Sequence, residues 1–263
     1  MPIRRSTLLA ALLAGAGLAS AFSAQAQQAL DTIQKQKTVR IGVPADMPPF
    51  GYKGSDGQLR GLDIDMAQLI ATKLGAKAEL VAVASSERVP SLQQRKVDLV
   101  VSTLGKNPDR EKLIDFANDY SSFYLAVFGA KAVAVAGPAD LKGKTIAVTK
   151  GSIEDQELSK VAPPEATVQR HDDNAASLAA YVSGKAQLLA GGISVAAAAV
   201  QANPGLEADA KFILKDSRNF IGVGKGEEAL RTRVNQIVDE AKGSGELLAM
   251  GRKWFSRNGL NQK

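Results

Sequence analysis

The stretches TVRIGV at residues 38–43 and GLDIDMAQLIATKLG at residues 61–75 decide how the chain reads. The first, rich in β-branched residues, is a buried strand. In the second, Leu62, Met66, Leu69, Ile70 and Leu74 recur at helical spacing and Gly75 stops the helix. Outward from there the alternation continues, with a strand at Glu79–Val83, a short helix at Val89–Arg95 and a third strand at Asp98–Ser102. A second series opens on KTIAV at Lys144–Val148. It runs through a helix from Ser152, a strand near Thr167–Gln169, a helix from Asp173 to Ser183 and a strand at Gln187–Leu189. Strand and helix alternating in this way predict an α/β protein with mostly parallel sheets, and the two series predict two lobes. Residues Val127–Lys142, with Gly129, Gly137 and Pro138, read as a crossover between them. Glu227–Ala241 and Glu246–Phe255 read as closing helices, the last carrying Trp254.

At the N-terminus, Arg4 and Arg5 precede an apolar run from Leu8 to Ala19 and then Ala24-Gln25-Ala26. A basic head, a short apolar stretch and small residues two apart predict a secretory signal peptide, residues 1–26. A membrane anchor is disfavoured because Ser20, Ser23 and the glutamines that follow interrupt the run before about 20 apolar residues accumulate. Cleavage after Ala26 removes 26 of 263 residues and leaves 237; it takes away Arg4 and Arg5, so the formal net charge falls from +6 to +4. The chain has no cysteine. That excludes a lipid at the cleavage site, a disulfide framework, a thiol nucleophile and a thiolate metal site. Basic residues are scattered among acidic ones and aromatics are only 5% of the chain, which argues against nucleic acid as a partner.

In order along the chain come Val39-Arg40-Ile41-Gly42-Val43, Pro48-Pro49-Phe50-Gly51-Tyr52, Gly61-Leu62-Asp63-Ile64-Asp65 and Lys96-Val97-Asp98. Asn107-Pro108-Asp109-Arg110-Glu111-Lys112, Leu141-Lys142-Gly143-Lys144, Lys150-Gly151-Ser152, Gly245-Glu246-Leu247 and Lys253-Trp254-Phe255 follow. In this order and spacing they resemble the periplasmic polar-amino-acid-binding proteins, family 3 of the solute-binding proteins, over nearly all of the mature chain. The resemblance implies a type II periplasmic binding protein fold: two lobes joined by two crossovers, with the ligand cleft between them. It divides the chain into the signal peptide, residues 27–128 as the first part of lobe 1, residues 129–220 as lobe 2, and residues 221–263 returning to lobe 1. It also implies a monomer in the periplasm that delivers an amino acid or related small carboxylate to an inner-membrane ABC permease, with no cofactor.

Arg110 is the first candidate for a ligand contact. A guanidinium makes two parallel charge-assisted hydrogen bonds to a carboxylate and keeps its charge; at this place the family grips the α-carboxylate. Ser152 reads as a helix N-cap, and the backbone at Ser152 and Ile153 suits an anion. By resemblance, Phe50 and Tyr52 cover the ligand's side chain, Thr103 and Gly105 border it, and Arg88, in Ser86-Glu87-Arg88-Val89-Pro90, meets a second carboxylate. Each has a plain structural alternative, as core, cap or solvated arginine.

Two departures stand out. The family's ammonium-binding aspartate falls here on Gly192, and its usual Thr or Ser five before Arg110 is Gly105, beside Lys106. A cleft with Arg88, Arg110 and nearby Lys106 and Lys150, without that carboxylate, is expected to favour anions, because an ammonium buried without a counter-charge is costly. The alternative activity is an exported dehydratase of the cyclohexadienyl type on the same scaffold. It needs a general acid or base, for which His171, Asp46, Glu87 and Glu154 are sparse candidates; no paired constellation or metal-ligand spacing is present. A sensor lobe of a membrane receptor is disfavoured by the lack of a later apolar span. The export reading predicts that periplasmic material begins at Gln27 and carries no lipid. N-terminal sequencing and intact mass check this, and retention of residues 1–26 would refute it.

Overall fold

The computed structural model describes residues 28–203 and 205–255. The expected signal peptide lies outside these residues. After helix α1 (Gln28–Gln36) come strand β1 (Thr38–Val43), the short strands β2 (Asp46–Met47), β3 (Gly51–Lys53) and β4 (Leu59–Arg60), and helix α2 (Leu62–Lys73). Strand β5 (Lys77–Ala82), a 3₁₀ turn at Ser85–Glu87, helix α3 (Arg88–Gln93), strand β6 (Leu99–Leu104) and helix α4 (Pro108–Leu113) complete the first half of lobe 1. Lobe 2 holds strand β8 (Thr145–Thr149), helix α5 (Ile153–Val161), strand β9 (Thr167–His171), helix α6 (Asn174–Val182), strand β10 (Leu188–Gly192) and helix α7 (Ile193–Ala202). Between the lobes run two 16-residue strands, β7 (Ile114–Gly129) and β11 (Asp209–Gly224). Helices α8 (Glu228–Ser244) and α9 (Glu246–Phe255) end the described chain.

The main sheet has the order β5-β1-β6-β11-β7-β10-β8-β9. At each end it is parallel, β1 between β5 and β6, and β8 between β9 and β10. Its centre is antiparallel, because β7 and β11 pair with each other along their length. Each long strand also pairs into one lobe: Leu125–Gly129 of β7 with β10, and Phe220–Val223 of β11 with β6. The crossing is therefore made by β7, and Val127 already pairs with Ala190 in lobe 2; the crossover expected at Val127–Lys142 begins too late. Residues 114–124 mix polar and apolar side chains without strict alternation, so their strand character rests on a partner more than 80 residues away.

The inner strands have the continuous apolar character of sheets covered on both faces. Every residue of β6 (LVVSTL) and β10 (LLAGG) is buried. Edge strand β5 alternates instead and exposes Lys77 and Glu79, which blunts pairing with another chain. In lobe 2, Ala126 and Phe128 pack on one side of the sheet with Ala147 and Tyr181, while Val127 packs on the other with Ile146, Val148 and Leu158. In lobe 1 a single cluster unites β1 and α2 with Leu230, Val234, Ile237 and Val238 of α8 and Phe255 of α9.

Phe50 belongs to that cluster. It is fully buried and meets Phe255 edge to face, with ring centroids 5.3 Å apart. Tyr52 packs in the same manner on Trp254 at 6.3 Å, and the Trp254 indole N–H donates to Asp65 at 2.8 Å. Both aromatics expected over the ligand thus face the C-terminal helix, and this corrects the placement drawn from resemblance. The physical reason is packing: the two rings are taken up by Phe255 and Trp254 of α9, and it is Asp46 and Met47 on β2 that reach the space between the lobes. Truncation of Phe50 to Ala should therefore cost about 3–5 kcal/mol of stability, as for other buried phenylalanines. Urea unfolding followed by circular dichroism checks it, and a cost below about 1 kcal/mol would take Phe50 out of the core.

Candidate functional site

The carboxyl ends of β1, β6 and β8 converge where the lobes meet, the usual place for a site in open α/β sheets. Lobe 1 contributes Met47, Ser85, Arg88, Thr103 and Gly105 to a small enclosed cavity, lobe 2 contributes Ile153, Glu154 and Asn174, and Ser217 comes from β11. Its room for water is about 10 Å³, the space of a single molecule. The lobes are therefore closed on each other. Three hydrogen-bonded contacts join them. The Asn174 backbone N–H and Nδ2 donate to the Asp46 carboxylate at 2.7 and 3.1 Å. Asn107 Nδ2 donates to Gln156 Oε1, and Arg110 Nη2 donates to the Gly151 carbonyl at 3.0 Å.

Arg110 sits where its motif predicts. Asn107 caps α4, its side chain accepting the Arg110 N–H at 2.9 Å, and Pro108 occupies the first turn. The Arg110 side chain is 5% exposed. Besides Gly151 it donates through Nη1 to the Gly105 carbonyl at 2.7 Å, leaving three of its five N–H donors. Burial, and then the charge of Arg88, lower its pKa to about 10, with Glu154 opposing the fall; it stays protonated at neutral pH.

Arg88 opens α3 and is 4% exposed, and its Nε–H has no hydrogen-bond partner. Burial pushes its pKa down, while Glu154, Asp46, Asp63 and Tyr120 pull it back up. Two guanidinium groups are thus buried near each other, and the charge of Arg88 disfavours that of Arg110. Asp46 and Asp63 are the compensating carboxylates from lobe 1. The Asp63 carboxylate accepts the Tyr120 hydroxyl at 2.7 Å and the Thr103 N–H at 2.8 Å. Burial raises the Asp63 pKa to about 7 against those two hydrogen bonds and the field of Arg88. The bond to Thr103 holds that residue at φ 41, in the left-handed region, with its hydroxyl on Met47 Sδ at 3.0 Å.

Across the cleft, Gly151 turns the chain at φ 70 between β8 and α5. Ser152 caps the helix, its hydroxyl accepting the Asp155 N–H at 3.1 Å, so that oxygen is engaged in the cap. Ile153 and the buried Glu154 follow in the first turn. Ile153 seats against Gly105 so closely that a Cβ at Gly105 would stand 2.6 Å from its Cγ1. The departure at Gly105 is therefore a fit between the lobes.

Gly192 N-caps α7, is buried, and pairs with Leu125; it does not line the cavity. Lys106 points elsewhere, pairing with Glu111 at 2.7 Å and standing 5.9 Å from the ring centres of Phe116 and Phe220. Lys150 is exposed. Of the candidate acids, Glu87 accepts the Ala84 N–H and Asp46 is engaged by Asn174. His171 ends β9 outside the cavity. Among the described residues no three His, Cys, Asp or Glu could hold a metal ion. A larger hollow of about 390 Å³ lies away from the cleft in lobe 1, but its charges pair internally, Arg40 with Asp98 at 2.6 Å and Arg95 with Glu227 at 3.7 Å. Sequence reasoning missed Met47, Asp63, Ser85, Asn174 and Ser217 as neighbours of the cleft.

A closed two-lobe cleft with two buried arginines agrees with what the chain resembles. Residues 39–257 match the bacterial extracellular solute-binding proteins, family 3. The chain belongs to that family. It is 29% identical over 242 residues to the L-arginine-binding protein of Pseudomonas aeruginosa, covering 86% of this chain and 91% of that one. An ancestral arginine-binding protein, solved with arginine and again with glutamine, is 32% identical with a TM-score of 0.78, over 83% of this chain and 98% of its own. The ancestral amino acid-binding protein AncCDT-1, a precursor of cyclohexadienyl dehydratase, is 29% identical with a TM-score of 0.78, over 86% and 99%. This family member is thus a solute-binding protein of the kind that serves ABC importers. Among the described residues no helix is long and apolar enough to cross a membrane.

The fit at Gly105 yields a prediction. Gly105→Ala should cost the closed form about 1–3 kcal/mol through overpacking against Ile153. Small-angle scattering should then report a larger radius of gyration than wild type, with the melting temperature little changed. An unchanged radius would show that Ile153 yields instead.

Proposed function

We propose that the protein captures an amino acid or close relative by its carboxylate, using Arg110 and Arg88, and presents it to an inner-membrane ABC permease. One observation carries this reading: Arg88 lines the interlobe cavity with its Nε–H unpartnered, and the buried Arg110 is held on the carbonyl of Gly105 at the cavity wall. Buried charged donors are stable only when paired, and a carboxylate offers acceptors that match a planar fork. Thr103, Gly105 and Ile153 border the same space, next to the Ser152 cap of α5. Phe50 and Tyr52 drop out of the ligand set.

A cavity with room for one water cannot admit an amino acid without opening. The lobes are residues 27–128 with 221–263, and residues 129–220. Their boundaries fall within β7 and β11, where the changeover in β7 begins at Leu125. Register shifts beside Phe220, close to the buried pair Asn219–Ser121, supply an irregular segment for the hinge. The protein acts as a periplasmic monomer freed from its signal peptide, and as a binder rather than a dehydratase. Support for the last point is that His171 stands outside the cavity while Asp46 and Glu87 are engaged elsewhere.

The test is calorimetry of the mature protein against L-amino acids, dicarboxylates and aromatic acids, preceded by a thermal-shift screen, since a ligand of the folded state raises the melting temperature. Arg110→Ala should weaken binding by roughly 2–5 kcal/mol, as for loss of one partner of a buried charged pair. Arg110→Lys should restore only part of it, because an ammonium lacks the planar fork. Unchanged affinity in a folded Arg110→Ala variant would remove Arg110 from the site. Turnover of a cyclic carboxylate would favour the dehydratase.

A further inference from the structure

The cleft carries a carboxylate after all, from an element other than the one that lacks it. Glu154, in the first turn of α5, is 7% exposed and lines the same cavity as Arg88, whose wall at Gly105 is gripped by the buried Arg110. Its negative charge acts on both arginines. Yet among the described residues it closes no ion pair within 4 Å, while sixteen other pairs do so, from Arg40–Asp98 through Lys253–Asp65. No hydrogen bond reaches its side chain either. A buried carboxylate held near two cations but paired with neither marks a gap between opposite charges.

We propose that Glu154 is the specificity-determining residue of the site: it receives the ligand's α-ammonium while Arg88 and Arg110 hold the carboxylate, so the cleft selects an α-amino acid over the same acid without its amine. The inference rests on the reading of the arginines given above. Its physical basis is charge matching in a closed space with room for one water molecule. The two other nearby carboxylates are committed, Asp63 to Tyr120 and Thr103, and Asp46 to Asn174. Glu154 alone offers free acceptor capacity. A zwitterion supplies one group to each pole. A second carboxylate placed there would meet Glu154 and be repelled, and an amine-free acid would leave Glu154 buried without a cation. The preference for anions expected from Gly192 therefore gives way to a dipolar site. Because Glu154 belongs to lobe 2 and Arg88 and Arg110 to lobe 1, the ammonium is tested only as the lobes close, which couples recognition to closure.

Matched pairs differing only in the amine decide the matter: L-glutamine and glutaramate, L-arginine and 5-guanidinopentanoate, L-glutamate and glutarate. Calorimetry on the wild type should show at least one amino acid bound about 100-fold or more tighter than its amine-free partner, the scale of a buried charge losing its counterpart. Glu154→Gln, similar in size, should shrink that ratio to about tenfold or less, weakening the amino acid without weakening the acid. Glu154→Asp should restore part of the ratio, and a general loss of fold would lower both affinities together and leave the ratio standing. A wild type that binds an amine-free acid as tightly as its amino acid overturns the proposal. So does an undiminished ratio in a folded Glu154→Gln variant. Binding of neither member of any pair would instead refute the amino-acid reading itself.

Discussion

Two guanidinium groups buried in one cleft are the constraint around which this molecule is arranged. Both Arg88 and Arg110 are buried, and the charge of Arg88 adds to the cost of burying Arg110. Such a pair is tolerable only where anions and carbonyls are brought to it. Asp63 supplies charge from beneath, Glu154 supplies it from across the cleft, and the carbonyls of Gly105 and Gly151 take two donors of Arg110. Each of these partners sits at the end of a strand or the start of a helix. The site is thus a product of where the sheet stops, not of any loop built for the purpose.

Closure depends on the same contacts. Arg110 binds a carbonyl of its own lobe and one of the other, so its position registers whether the lobes are together. Asp46–Asn174 and Asn107–Gln156 do likewise with neutral donors and a single carboxylate. Glycines allow the approach: Gly105 because any side chain would strike Ile153, Gly151 because its backbone lies at φ 70 with Ser86 close by. The long strands β7 and β11 carry the connection between lobes, and a continuous antiparallel pair with local register shifts bends more readily than it shears.

Much of this was legible beforehand. Helix α9 spans Glu246–Phe255, as its periodicity predicts, and the cap read at Ser152 stands at the start of α5. Arg110 was singled out by its resemblance to a family motif, and helix α4, which carries it behind the Asn107 cap, was not foreseen. The aromatics of Pro48-Pro49-Phe50-Gly51-Tyr52 were misplaced, because the rings they pack on, Phe255 and Trp254, come from the far end of the chain. Strands β7 and β11 were missed because their partner strands lie far apart in sequence.

By itself the sequence determined the local elements, the two-series plan and the family, because period, capping and turn chemistry act over a few residues. It also singled out Arg88 and Arg110, and the fold buries both. Only the tertiary structure decided which side chains share the enclosed space. Asp63 near Arg88, Asn174 on Asp46, Ile153 against Gly105 and Glu154 with its charge on both arginines bring together residues far apart in the chain. Electrostatic energy in a dry cavity depends on distance and burial, and neither quantity exists until the chain has folded.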